Sequence, residues 1–507
     1  MTPRRCRVTG WAGALRIALF SVAVSYAGLV PAPTCWASPA ADTPEEISRR
    51  ALEAFHQKDY ARAEALLRKQ LEARPDSFIA PYNLACCRAM QNDPEGAAEW
   101  IAKAIELGFC DRRQLEADPT LAPARDHPKF RAILDHWGEI LDAQRDFLVQ
   151  RAAAQFKGRD YTDARDDRLR LCFRSAFNEK ALKEAREEMT RIADWARAEL
   201  FPEILNPEKV KDDAWVMVVL PTRSDFMRWA ASVYGEAAVQ GSSMIGGAYE
   251  HDAKQLVSMD IGPTLRHEFL HVLHWRDCTR RGQAHPIWIM EGLCSLAEDY
   301  DLEGGKVRPA TSWRTNMAQR MERVKNLQPI EKLAAMTPLQ FSGRRPLANY
   351  AQARTFFLYL HDQGKLKAWY EHYTENFAAD PTGVESIVAV LDLPIANVNR
   401  NYRAWLRGLP PVPEVIKSGS ASLGIEVDAG SGEGPVVASV ARNARHMLDP
   451  ATSLRKGDII TSIGGRAVRD IAELVRVLSG FGVGEEVEVE YRRGRNFAST
   501  RIRLVPR

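Results

Sequence analysis

The stretch Leu265-Arg266-His267-Glu268-Phe269-Leu270-His271-Val272-Leu273-His274 constrains this chain more than any other. It sets two imidazoles one helical turn apart, with a carboxylate beside the first. On an α-helix, residues four apart lie one above the other on the same face, so His267 and His271 can both reach a single cation. The segment is therefore predicted as a helix carrying a pair of metal ligands, with Glu268 next to the ion. His274 falls seven residues after His267. That is nearly the same face but about 10 Å further along the axis at roughly 1.5 Å per residue, too far to join the same metal.

A zinc ion held by three protein ligands keeps a fourth position for water and lowers that water's pKa to about 7. Glu268 would take the water's proton during attack on a carbonyl and pass it to the leaving amine, the general-base role. The motif follows a mainly apolar segment, Leu256-Val257-Ser258-Met259-Asp260. It precedes Pro286-Ile287-Trp288-Ile289-Met290-Glu291-Gly292-Leu293, whose Glu291 stands twenty positions after His271. Glu291 is the candidate third ligand, on a second helix. His285, in the loop before that helix, is the alternative. One zinc per chain is the expected cofactor, and cobalt or manganese would substitute in vitro.

These residues resemble the gluzincin metallopeptidases, the thermolysin-like and aminopeptidase N-like group, in which His-Glu-x-x-His is followed about twenty residues on by a helical Glu. The resemblance implies a two-lobed peptidase domain. It also extends to Glu298, seven residues after Glu291, as the acid that orients a ligand histidine through its second nitrogen. Tyr350, at the opening of a helix read from Asn349 to Leu360, resembles the tyrosine with which the aminopeptidase-like branch stabilises its oxyanion. Gly246-Gly247-Ala248-Tyr249-Glu250 resembles the glycine-rich edge strand that pairs with substrate backbone, making Gly247, Ala248 and Glu250 candidate substrate contacts. Two departures matter. The amine-gripping signature is only approximated by Gly247 to His251, so the choice between exopeptidase and endopeptidase stays open. Ser295 stands where the thermolysin branch carries an aspartate.

The N-terminus reads as a secretory signal: Arg4, Arg5, Arg7 and Arg16, an apolar run from Ile17 to Val30, then small residues around Ala37 and Ala40. Cleavage after Ala37 or Ala40 and retention as an uncleaved anchor are both compatible with it. Export to a periplasmic or extracellular compartment is expected. Six of the 8 Cys lie beyond this segment, too sparse for a disulfide scaffold. Cys278 and Cys294 flank the loop between the two metal-bearing helices, either bridged or buried as free thiols. A formal charge of +3, with basic residues interspersed among acidic ones, excludes a nucleic-acid footprint.

Between residues 44 and 111 the sequence repeats with a shift of 34, matching Ala51 with Ala85, Asp59 with Asp93, Ala63 with Ala97 and Leu67 with Ile101. This resembles two tetratricopeptide repeats capped by Asp111 to Trp137, modules that bind partner proteins or buttress a neighbour. Strands are expected within Asp166 to Ser175 and at Trp215 to Leu220, with a helix of about Glu179 to Leu200 between them. Downstream of Glu291 the chain reads mainly helical to about Arg407. Leu409-Pro410-Pro411-Val412-Pro413 and Ser418 to Ser422 mark a linker. Beyond it, Leu423-Gly424-Ile425 and Lys456-Gly457-Asp458, with a helix near Ile471 to Leu478, resemble a PDZ domain. Such a domain adds an extended peptide as a strand and binds its carboxylate on loop amides, here those of Gly424 and Ile425 in the loop Leu423-Gly424-Ile425. Leu474 or Leu478 would border the side-chain pocket or serve the core.

The expectation is a multidomain α+β protein: signal or anchor over 1–40, tetratricopeptide-like hairpins over 42–140, a gluzincin-like domain over 150–408, a linker over 409–422 and a PDZ domain over 423–507. Function follows as an exported zinc peptidase whose protein partners are recruited by the flanking modules. The rival reading is an exported scaffold without turnover. Membrane contact is expected only through an uncleaved N-terminal segment.

Overall fold

The protein is described by a computed structural model over residues 44–158, 160–206, 213–235, 246–250, 254–429, 431–441, 447–449 and 451–507. The segment read as a signal or anchor, residues 1–40, lies outside the described residues. Among those described, no helix is long and apolar enough to cross a membrane.

The chain divides into two compact units. The first is built on residues up to Gln155, with helices α1 (Pro44–His56), α2 (Tyr60–Ala73), α3 (Ile79–Met90), α4 (Pro94–Glu106), α5 (Arg112–Ala117), α6 (Pro128–Asp135) and α7 (Trp137–Gln155). The 34-residue repeat has a structural counterpart. Asp59 caps α2 by accepting the Arg62 N–H at 3.1 Å, and Asp93 caps α4 by accepting that of Gly96 at 2.9 Å. Ala51, Ala63, Ala85 and Ala97 are buried where the helices meet, as are Leu67 and Ile101.

The second unit opens with β1 (Thr162–Asp166), β2 (Leu171–Ser175), α8 (Glu179–Glu199), β3 (Trp215–Val219), α9 (Arg223–Tyr234), β4 (Gly247–Glu250) and β5 (Gln255–Ser258). These strands form one sheet in the order β1-β2-β3-β5-β4, which leaves β4 at an edge. The chain then enters α10 (Pro263–Arg281) and α11 (Ile287–Cys294). A hairpin, β6 (Tyr300–Glu303) and β7 (Lys306–Pro309), interrupts the region read as helical. Its turn is Gly304-Gly305 with φ of 58° and 79°, the double positive-φ pair that a two-residue hairpin needs. Helices α12 (Trp313–Arg323), α13 (Ile330–Ala334), α14 (Pro338–Phe341), α15 (Pro346–Asp362), α16 (Leu366–Glu375), α17 (Val384–Leu391) and α18 (Ile395–Gly408) complete the layer around α11.

A β-rich domain ends the chain: β8 (Ala421–Ser422), β9 (Ile425–Asp428), β10 (Val436–Val440), β11 (Ile459–Ile463), β12 (Arg466–Ala467), α19 (Ile471–Leu478), β13 (Glu486–Arg493), β14 (Asn496–Arg503) and β15 (Val505–Pro506). Its main sheet runs β14-β13-β11-β10-β9, with β9 at the edge. Pairing of β8 with β15 starts the domain at Ala421, two residues before the boundary read from sequence. Leu474 and Leu478 both sit in its core.

This domain is docked on the start of α10. A Cβ on Gly432 would lie 2.3 Å from the Met259 carbonyl oxygen, and one on Gly262 would lie 2.5 Å from Arg469 Cβ, so both contacts require glycine. The Ile261 N–H donates to the Gly432 carbonyl at 2.9 Å. Behind them, buried Arg266 on α10 donates to Glu473 of α19 at 2.6 Å, to Glu188 of α8 at 3.2 Å and to the Glu298 carbonyl at 2.6 Å. The proline-rich connection is also held: Asn316 of α12 accepts the Val412 N–H at 2.9 Å and donates to the Val412 carbonyl at 2.7 Å.

Candidate metal centre

Helix α10 begins where Asp260 accepts the Gly262 and Thr264 N–H groups at 2.9 and 3.1 Å, with Pro263 in the first turn. It ends at Gly282, whose φ of 63° suits a left-handed cap. Between these ends, Leu265 to His274 are all buried. Helix α11 is fixed by Trp288, which stacks on Phe357 of α15 at 4.9 Å and donates its indole N–H to the Thr382 carbonyl at 3.0 Å. Gly292 allows that closeness, since a Cβ there would lie 2.6 Å from the Phe357 ring.

The two helices bring His267, His271 and Glu291 together. His267 Nε2 and His271 Nε2 are 3.1 Å apart, and Glu291 Oε2 lies 3.2 Å from the first and 3.5 Å from the second. A tetrahedral ion with bonds of about 2.0–2.1 Å has ligand-to-ligand edges of about 3.3–3.4 Å. Three donors with these separations fit a zinc ion, and His/His/Glu is a donor set suited to it. His285 is placed elsewhere, with Nδ1 at 2.8 Å from His274 Nε2, in the loop before Pro286 caps α11.

Behind the trio, His267 Nδ1 meets Glu298 Oε1 at 2.9 Å, which leaves Nε2 for a metal. Glu298 is not on α11 itself: that helix ends at Cys294 and a short 3₁₀ turn, Ser295–Ala297, carries the chain on to Glu298. Arg314 of α12 donates to both carboxylate oxygens of Glu298, at 2.6 and 2.9 Å. Burial alone would raise Glu298, but the Arg314 charge and the His267 hydrogen bond hold it well below the usual carboxylate range. His271 Nδ1 lies 3.2 Å from Cys294 Sγ. Cys278 and Cys294 are both free thiols. Sequence reasoning missed Arg314 and the role of Cys294, because nothing in their spacing from the motif signals a contact.

Glu268 is buried at 7% exposure. Burial raises its carboxyl above the ordinary range, His271 and His267 pull it down, and Glu291 and Glu298 push it up. Edge strand β4 passes directly over it: a Cβ on Gly247 would lie 2.6 Å from Glu268 Cγ and Oε1. Ala248 follows on the same strand, half-buried, and Glu250 closes it. The Glu250 side chain and His251 lie outside the described residues. Tyr350, near the start of α15, packs on Phe341 at 5.2 Å and lies under the Arg314 guanidinium at 5.6 Å. It is thus linked to the trio through Arg314 and Glu298.

The C-terminal sheet, its edge strand and helix α19 match a family model, described as PDZ domain, over residues 421–504. This segment is a PDZ domain. No curated protein matches the chain. A crystal structure of an aminopeptidase N family protein from Idiomarina loihiensis matches at 12% identity over 69% of this chain and 67% of that one, with a TM-score of 0.28. A likeness that weak carries no argument. In the PDZ domain, Leu423 is buried, Gly424 has φ of 66°, and Ile425 opens edge strand β9. The Gly424 N–H is bonded to the Ser422 hydroxyl at 3.1 Å, so an incoming carboxylate would exchange for a side-chain partner.

Proposed function

We propose that this chain is an exported zinc peptidase, with the metal held by His267, His271 and Glu291. The observation that carries the reading is the set of three donor atoms spaced 3.1 to 3.5 Å apart with a buried carboxylate on the next residue of the same helix. Zinc, when bound, supplies an acidified water and an electrophile for a substrate carbonyl. Glu268, buried on the residue after His267, is placed to hold a proton at its carboxylate and would act as the general base and acid of the hydrolysis. Burial raises its proton affinity above that of an ordinary carboxylate, in the direction such a role needs. Glu298, anchored by Arg314, keeps His267 Nδ1 protonated and its ring oriented. Tyr350 is the proposed donor to the developing oxyanion, and Gly247 and Ala248 the backbone against which substrate extends.

The PDZ groove, between edge strand β9 and α19, takes the carboxyl-terminal segment of a substrate or partner protein. The N-terminal helices are assigned as tetratricopeptide-like protein-binding hairpins and residues 1–40 as the export signal or anchor. Metal content and hydrolysis of a mixed peptide library test the reading together. One zinc at this trio in wild type and Glu268→Gln, lost in His271→Ala, with cleavage in wild type alone, supports it. Metal retention without cleavage in wild type favours a non-catalytic scaffold. Comparing free with acetylated peptides separates exopeptidase from endopeptidase action.

A further inference from the structure

We propose that His274, Cys278 and His285 form a second metal site, structural rather than catalytic, for a thiophilic closed-shell cation of the cuprous or zinc class. His267, His271, His274 and Cys278 follow one another at i, i+4, i+7 and i+11 along one face of α10. Each pair on that face is joined by a residue from the next segment, Glu291 for the first and His285 for the second. One ligand atom from each of His274, Cys278 and His285 lies within 4.8 Å of the others, and all three residues are buried.

The polar partners on this trio point its lone pairs inward. Gln283 donates its amide N–H to the Thr374 carbonyl at 2.6 Å, which fixes its Oε1 as an acceptor for His285 Nε2 at 3.1 Å. His285 Nδ1 therefore carries no proton and faces His274 Nε2 at 2.8 Å. Burial and the Asp277 charge push the Cys278 thiol well up, and the His285 backbone N–H directed at its sulfur only partly opposes them, so the group is a thiol until a cation displaces its proton. A cation between His274 and His285 would open their nitrogens from 2.8 Å to about 3.3–3.5 Å, a small adjustment of a loop residue.

The surroundings select the ion. Phe201 stacks on His274 at 5.1 Å, and Tyr373, Phe377 and Tyr370 enclose His285 at 4.9 to 5.9 Å. A soft thiolate with two imidazoles suits Cu⁺ or Zn²⁺ and disfavours magnesium or calcium. Loading forms one metal–sulfur and two metal–nitrogen bonds and releases the Cys278 thiol proton to solvent; no oxidant or reductant is needed. With one thiolate the cuprous site is neutral, whereas zinc would leave a buried positive charge, so Cu⁺ is the better match. The ion would tie the end of α10 to the loop that delivers α11 and Glu291.

Elemental analysis of the full chain, loaded with Zn²⁺ or with Cu⁺ in separate arms, tests the site independently of catalysis. The expected result is one equivalent retained by His271→Ala in at least one arm and lost when Cys278→Ala is added to it. Cobalt(II) bound to His271→Ala should give a near-ultraviolet thiolate charge-transfer band that survives Cys294→Ser and disappears in Cys278→Ala. A folded His271→Ala chain that holds no equivalent in either arm overturns the proposal and leaves a hydrogen-bonded histidine pair. A cobalt band that depends on Cys294 and not on Cys278 overturns it equally.

Discussion

Arg314 grips the Glu298 carboxylate with two hydrogen bonds, and the oxygen it shares, Oε1, also meets His267 Nδ1 at 2.9 Å. Arginine's planar fork is what permits this, because it occupies both oxygens and still leaves one lone pair for the histidine. Arg314→Ala strands a buried carboxylate. Stability should fall by about 3–5 kcal/mol, as for a broken buried ion pair, and zinc affinity by about 10- to 100-fold. Arg314→Lys, which supplies charge without the fork, should fall between wild type and Ala. Thermal unfolding and chelator competition read the two effects, and unchanged zinc retention in a folded Arg314→Ala would remove this chain of contacts from metal binding.

Gly247→Ala places a methyl group 2.6 Å from Glu268, so either β4 or the carboxylate must move. Hydrolysis is expected to drop at least about tenfold, since small misplacements of a catalytic group are costly, while metal content stays at the wild-type level. Loss of zinc in this variant would show that the strand supports the ligands rather than the base.

Asp470 caps α19 by accepting the Glu473 N–H at 2.7 Å, and burial together with the Glu473 charge pushes its carboxyl up to about 7. Its unfolded value is about 3.9. A raised acid stabilises the fold most below the unfolded value, and that contribution is lost as pH rises through about 7. Asp470→Asn retains a capping oxygen without the charge. It should match wild type near pH 3 and exceed it near pH 8, by on the order of 1–4 kcal/mol. Unfolding midpoints at the two pH values check the sign, and a gap that narrows toward pH 8 contradicts it.

Glu473→Ala removes one acceptor from Arg266, a residue only 3% exposed. About 3–5 kcal/mol of stability should be lost. The loss should be felt at the metal helix as well as in the PDZ domain, because Arg266 precedes His267. Urea unfolding followed by signals from both regions should shift together; a shift confined to the PDZ domain would mean that the two fold separately.

His267 and His271 were legible as a pair because a helix turns every 3.6 residues, whereas Glu291, on a separate helix, was picked out by the resemblance to the gluzincin spacing. The PDZ domain was legible through Leu423-Gly424-Ile425 and a helix whose bounds, Ile471–Leu478, match the reading. Arg314 and Cys294 were not, because their partners are chosen by how α12 and α11 pack on α10, which no local pattern encodes. The β6–β7 hairpin was marked in the sequence by Gly304-Gly305 and was overlooked inside a helical stretch. Composition marks the proline-rich connection as a linker, and its hydrogen bonds to Asn316, which composition does not encode, fix it in place.

The guanidinium of Arg266 draws its acceptors from three places in the chain: α8, the segment after α11, and the PDZ helix. Amputating everything past residue 408 would strip one of those acceptors from a buried cation and uncover the surface around Gly262. A shortened chain would then carry a stability defect at the helix of His267 that mixes with any defect in peptide capture. The C-terminal domain thus doubles as a support for the helix that carries His267 and His271, so its contribution to recognition has to be read from point changes in the β9 edge and not from deletion.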